Sequence, residues 1–146
     1  MSGTAVDPRV QRIVTLFEHL TPAELPRLAA IYSADARFKD PFNEVQGAAA
    51  ITRIFEHMFS ALEAPRFVIH DVVVQGDQCF LGWDFVFRLR RRRGEELLIR
   101  GATHLQLTSD GRIAVHRDYW DAAEELYEKL PVVGALMRWL KRRVNA

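Results

Sequence analysis

Near Arg66 the hydrophobic period of this chain changes from that of a helix to that of a strand. Before that point apolar residues recur every three or four positions; after it they alternate. Helices first and strands afterwards do not build the interleaved crossovers of a parallel sheet. The order points to the α+β class, with helices set apart from a mainly antiparallel sheet.

In the helical part, Val10, Ile13, Val14, Phe17 and Leu20 share one face. Thr21-Pro22-Ala23-Glu24 reads as a capping box with proline at the first helical position. It predicts a second helix carrying Leu25, Leu28, Ala29 and Tyr32, its first turn loosened by Pro26. A short strand over 37–39 ends at Asp40-Pro41. Gly47 then opens a third helix through Ile51, Ile54, Phe55, Met58, Phe59 and Leu62, which Pro65 stops.

Period two predicts strands over 67–74, 79–90, 97–108 and 113–120, separated by Gly76-Asp77, Arg93-Gly94 and Ser109-Asp110-Gly111. The two middle runs exceed an ordinary strand of about 5–6 residues, and long antiparallel strands curl. A four-strand meander bent around three N-terminal helices makes a cone with a hollow interior. Residues 1–121 are expected to form this cone. Residues 122–146 are expected to add a helical extension packed on it or lidding it.

With 146 residues, 49% of them hydrophobic, the chain is the size of one domain with a substantial core. Twenty basic and 19 acidic residues leave a net charge of +1, so no overall field favours nucleic acid. The basic run at 88–93 is followed by Glu95 and Glu96, which suits a solvated turn with cross-strand ion pairs. Cys79 is alone and cannot form an intramolecular disulfide. The start lacks an apolar leader and no apolar run reaches the length of a membrane span, so a cytoplasmic protein without membrane contact is expected. His-Glu-x-x-His, Gly-x-Gly-x-x-Gly and Gly-x-Ser-x-Gly do not occur, and neither a metal nor a cofactor is expected.

The order helix, helix, short strand ending in Asp-Pro, helix, four long strands resembles the nuclear transport factor 2-like superfamily, which includes ketosteroid isomerases and SnoaL-like polyketide cyclases. The resemblance runs from about Val10 to Trp120. It is carried by Ile31-Tyr32-Ser33-Ala34-Asp35-Ala36 leading to Asp40-Pro41, by Gly47, and by Asp110-Gly111-Arg112-Ile113 leading to Tyr119-Trp120. It implies that Asp40 stands where ketosteroid isomerases carry their general base. Their oxyanion-binding tyrosine and protonated aspartate correspond to about Phe17 and to Thr103, or to His104 if the register slips by one. Neither partner group is kept.

The resemblance also implies that Trp120 lines the cavity, and alternation then brings His116 and Asp118 to the same face. Asp40, His116 and Asp118 are the candidate catalytic residues: a carboxylate in an apolar enclosure gains basicity suited to proton abstraction beside a carbonyl. Structural readings stand beside this one, with Asp40 as turn chemistry and His116 with Asp118 as an ion pair. Phe17, Tyr32, Ile54, Phe55, Met58, Asp84, Val86, Thr103 and Trp120 are the candidate pocket wall. On the longest strand, Asp84, Val86 and Arg88 are expected inward and Trp83, Phe85 and Phe87 outward, the latter forming a homodimer face.

Leu126, Leu130, Val133, Leu136, Met137 and Leu140 form an apolar stripe near the C-terminus, ending in Arg138, Lys141, Arg142 and Arg143. It can lid the cone, pack on the body or a partner, or lie on an anionic membrane; its regularity favours lid or packing. The functional expectation is proton-transfer chemistry, isomerase- or cyclase-type, on a small apolar carbonyl ligand with Asp40 as base. The alternative is a non-catalytic ligand-binding or dimeric interaction module of the same fold.

Overall fold

The computed structural model describes residues 7–89, 95–125 and 131–144. Helix α1 (Pro8–Glu18) starts where Asp7 accepts the Arg9 amide (2.9 Å) and Pro8 occupies the first turn; it buries Val10, Ile13, Val14 and Phe17. Thr21 makes no side-chain cap, and Pro22–Glu24 is a 3₁₀ turn rather than the start of a helix. Helix α2 (Leu25–Ile31) begins one residue before Pro26, which falls in the first turn where a missing amide proton costs nothing.

Strand β1 (Tyr32–Lys39) is longer than the sequence pattern predicts, and a second short strand, β2 (Glu44–Gln46), pairs back on it. Gly47 then opens helix α3 (Ala48–Ala61) with a φ of 100°, a conformation that disfavours a side chain. Its amide donates to Ala36 across the turn (2.7 Å). Proline does not stop α3. The helix ends at Ala61, and Pro65 lies within β3 (Leu62–Gln75), where the pairing register shifts between Glu63 and Arg66. Such a bulge accommodates a residue that cannot donate to the ladder.

Strands β4 (Gln78–Leu89), β5 (Glu96–Leu107) and β6 (Ile113–Tyr119) complete one six-stranded sheet in the order β2-β1-β6-β5-β4-β3. All neighbours are antiparallel except β1 and β6, which run parallel. The sheet is curved and unclosed, and the helices α1, α2 and α3 fill its inner side, giving the expected α+β architecture. Helix α4 (Ala122–Glu125) and helix α5 (Pro131–Val144) follow. The predicted end of the second long strand at Arg90, the run 90–94, and Leu126 and Leu130 of the C-terminal stripe lie outside the described residues, as do the side chains of Val133 and Met137.

The inner face carries Cys79, Leu81, Trp83 and Phe87 from β4, Ile99, Thr103 and Leu105 from β5, and His116 from β6, all buried. This reverses the face predicted for β4. Trp83, Phe85 and Phe87 point inward, with Phe85 stacked on Phe67 and on Phe87. Asp84, Val86 and Arg88 occupy the opposite face. The physical reason is visible in the strand itself: Cys79, Leu81, Trp83, Phe85 and Phe87 are all apolar, whereas the other parity includes Gly82, Asp84 and Arg88. Asp84 comes within 3.5 Å of His70, and Arg88 approaches Glu96 across the hairpin at 3.7 Å.

Candidate active site

One polar chain crosses the otherwise apolar interior. Direct register pairing puts Thr103 of β5 beside Asp118 of β6, and Leu105 beside His116. The indole Nε1 of Trp83 donates to Thr103 Oγ1 (2.7 Å), and the Thr103 hydroxyl donates to Asp118 Oδ1 (2.6 Å). His116 Nε2 lies 2.7 Å from the same oxygen, and its Nδ1 lies 2.7 Å from the Tyr32 hydroxyl. A carboxylate can only accept, so the imidazole donates through Nε2. Its Nδ1 is thereby turned to the Tyr32 hydroxyl, a group that can both donate and accept.

Aromatic rings hold this chain in place. His116 packs against Phe17 edge-on (5.9 Å between centroids), against Phe38 (4.6 Å) and against Tyr32 in a stacked arrangement (6.0 Å). Burial holds the Tyr32 hydroxyl well above its ordinary pKa, and the nearby charge of Asp118 adds to the effect. Trp83 reaches Thr103 because its cross-strand neighbour is Gly101. A Cβ at that glycine would stand 2.4 Å from the indole ring.

Among the described residues no buried side-chain polar atom lacks a partner. Asp118 differs from its neighbours in being about one-fifth exposed, and among the described residues no side chain or amide donates to its Oδ2. It borders two spaces. The first is an inner chamber lined by Phe17, Phe55, Phe67, Trp83, Thr103 and His116 among others. Its volume is about 30 Å³, because the aromatic rings fill the cone. That is room for about one water, far below the roughly 300–1,000 Å³ of ligand sites. The second is an open groove of about 620 Å³ along Lys39, Asp40, Pro41, Arg117, Asp118, Tyr119, Trp120 and Asp121.

Asp40 therefore shares the outer groove with Asp118 and not the inner chamber. Its Oδ1 accepts the amides of Phe42 (2.8 Å) and Asn43 (2.6 Å), and the Asn43 side-chain amide reaches both oxygens at 3.1 Å. This is an Asx turn, which the Pro41 that follows favours. Trp120 lies in the same groove with Phe42 edge-on against it at 5.6 Å. Of the other expected wall residues, Phe17, Phe55 and Thr103 line the chamber, and Tyr32 reaches His116 from behind. Ile54 and Met58 pack against the core without bordering either space. Asp84 and Val86 belong to the outer face. His104 is on that face too, stacked on Phe80, so the register falls at Thr103.

The expectation missed Trp83 as a site residue. The all-apolar parity of β4 carries that signal, and the glycine opposite is its counterpart. Among the described residues no group of three or more His, Cys, Asp or Glu side chains is arranged to hold a metal ion.

Comparison with known proteins supports the architecture. No curated protein matches the chain in sequence. A Catenulispora acidiphila protein with a ketosteroid isomerase-like fold, solved with trimethylamine, superposes with a TM-score of 0.71 at 14% identity, covering 84% of this chain and 92% of its own. A Jannaschia sp. CCS1 protein named for the SnoaL-like polyketide cyclases gives 0.71 at 16% identity, covering 84% and 94%. An epoxide hydrolase of M. tuberculosis, described as LEH-like, gives 0.68 at 14% identity over 91% and 96%. At these identities the likeness is one of fold. The sequence pattern of the SnoaL-like domain covers residues 13–116, so the chain belongs to the SnoaL-like domain family, within the nuclear transport factor 2-like fold that its helix and strand order resembles.

Proposed function

We propose that this protein catalyses cofactor-independent proton transfer, of the isomerase or cyclase type, on a small and largely apolar carbonyl compound bound in the outer groove. The observation that carries the reading is Asp118, whose one oxygen is fixed by Thr103 and His116 while the other is left for a ligand. A carboxylate held in this way cannot rotate away from a bound carbon acid, and its orientation is set before the substrate arrives. In the proposed reaction Oδ2 removes the proton beside the carbonyl, and the same oxygen returns it to the product. The enolate that forms in between carries negative charge on oxygen, and Lys39 and Arg117 border the groove with the sign it requires. Pro41 and Trp120 offer it apolar walls. Asp40 serves at the rim as a second carboxylate whose first duty is the turn.

Deuterium incorporation at the α-carbon of small cyclic ketones and 1,3-dicarbonyl compounds, followed by NMR in heavy water, tests the reading directly. The wild-type protein accelerates exchange and Asp118→Asn does not, while both retain the same circular dichroism. Full exchange by Asp118→Asn would exclude Asp118 as the transferring group.

A second reading rests on a separate observation, the filled inner chamber together with an apolar outer sheet face. Val68, Val73, Phe80, Leu98 and Tyr119 are exposed, and all except Tyr119 are aliphatic or purely hydrocarbon. Their strand partners, Val73 with Phe80 and Val86 with Leu98, put them on the face away from the helices. Such a face suits a homodimer, formed by different residues from the Trp83, Phe85 and Phe87 of the sequence-based expectation. Light scattering at micromolar concentration decides it: a strictly monomeric species rules this interface out.

A further inference from the structure

A second cleft adjoins the outer groove. On β1, Ala36 and Phe38 are buried, so Arg37 and Lys39 project from the outer face of the sheet. On β6, His116 is buried and Arg117 projects on that same outer side. Register sets Arg37 beside Val115 and Lys39 beside Arg117, with Gln46 and Glu44 of β2 on the other flank. These residues line an open cleft of about 420 Å³, within the roughly 300–1,000 Å³ of ligand sites. Lys39 and Arg117 border both this cleft and the groove that holds Asp118.

Charge is ordered along the two spaces. Strands β1 and β6 run parallel, so their sequences advance in the same direction. Arg37 and Lys39 precede Asp40 on one strand, and Arg117 precedes Asp118 and Asp121 on the other. The polarity of the two strands therefore adds: cations gather in the cleft and carboxylates in the groove. Glu44 is the one carboxylate lining the cleft; it is exposed and lies 3.8 Å from Lys39. Among the described residues Arg37 and Arg117 pair with no carboxylate, and Arg117 rests over the Tyr119 ring at 4.8 Å.

We propose that this cleft binds an anionic group, a carboxylate or a phosphate, at the far end of the carbonyl compound whose reacting carbon meets Asp118. The inference rests on the reading of Asp118 as the group that moves the proton. Arg37 stands two residues before Lys39, about 7 Å along the strand. It takes the anion at the far end, while Lys39 and Arg117 stay at the junction with the groove. A guanidinium presents a planar fork of donors that matches the oxygens of either anion. Arg37 is thus a specificity residue, and a neutral ketone gains nothing from it.

The test has two parts on the full chain. In the first, α-deuterium exchange is compared for 6-oxoheptanoate and heptan-2-one, which match in length and differ in the terminal carboxylate. The wild-type protein prefers 6-oxoheptanoate. Arg37→Gln raises KM for it about three- to tenfold, as expected for one partly exposed charge-assisted contact, and leaves kcat and the exchange of heptan-2-one unchanged. Arg37→Lys keeps most of the preference. In the second part, heptanoate and hexyl phosphate, which carry no ketone, are titrated by NMR; the tighter of the two identifies the anion. Arg37→Gln weakens that binding, as does added salt. Equal circular dichroism verifies that the exposed substitution leaves the fold intact. Equal exchange of the two ketones, or anion binding unchanged in Arg37→Gln, overturns the proposal and leaves the role of Asp118 standing. Arg37-dependent anion binding by a protein that exchanges neither ketone supports the cleft and removes the proton-transfer reading instead.

Discussion

Asp40 and Asp118 border the same groove, yet the fold uses them in opposite ways. Asp40 sits at the end of β1 and spends its carboxylate on the backbone of its own turn, within three residues of itself. Asp118 sits near the end of β6 and is tied to side chains from β5 and, through His116 and Thr103, to Tyr32 and Trp83, which are distant in sequence. A carboxylate held by local amides is structural wherever the turn forms. One held by buried side chains is oriented by the whole domain, and orientation of that kind is what proton transfer needs.

The largest expected difference between the two is in turnover. Asp118→Asn lowers carbonyl-dependent proton exchange by about a hundred- to ten-thousandfold, the usual contribution of a positioned acid or base, whereas Asp40→Asn retains most of it. Exchange lost in Asp40→Asn and kept in Asp118→Asn would invert the comparison and restore Asp40 as the base.

The next test disturbs the far end of the buried chain. Gly101→Ala forces its methyl into the Trp83 ring, and overpacking of this sort costs about 1–3 kcal/mol. Chemical denaturation should show that loss, and a shift in Trp fluorescence should accompany it. An unchanged midpoint would mean that the indole is not pinned there.

Removing the Tyr32 hydroxyl has a smaller effect. Tyr32→Phe leaves His116 Nδ1 buried without its hydrogen-bond partner and costs about 1–2 kcal/mol in the same assay. A neutral result would show that His116 is held by Asp118 alone.

A graded effect follows from pH. Burial lifts the Cys79 thiol from 9.0 to about 11 and holds the Tyr32 hydroxyl well above 10.0. Between those limits the unfolded chain releases protons that the fold keeps, so it binds fewer of them and stability falls as pH rises. The decline begins near pH 9 with Cys79 and steepens past 10 with Tyr32. Cys79→Ala removes the first part, and a wild-type profile flat from pH 8 to 10.5 would contradict it. The smallest effect is the stability change in Asp40→Asn, below about 0.5 kcal/mol, because an asparagine oxygen accepts the same turn amides. A large loss there would give Asp40 a structural weight beyond its turn.

Much of the architecture is legible along the chain because hydrophobic period is a local property. The α3 face through Ile51 and Phe55 and the strand positions can be read from it. Asp40-Pro41 likewise announces a turn, and the resemblance of element order to the SnoaL-like domains extends this to the fold. The inward face of β4 is also written there, in five apolar residues of one parity, Cys79, Leu81, Trp83, Phe85 and Phe87. The capping box at Thr21 failed because four residues of local preference yield to the path that α2 and β1 require.

What the residue pattern determined by itself is the succession of elements, the one-sided helices and the Asx turn, since each depends on neighbours a few positions away. Tertiary structure alone decided that Trp83, Thr103, Asp118, His116 and Tyr32 join in one chain, that the aromatic rings leave only about 30 Å³ inside the cone, and that the α5 stripe stays exposed. Those outcomes depend on register between strands and on volumes meeting across the core, and neither is encoded in the period of any single segment.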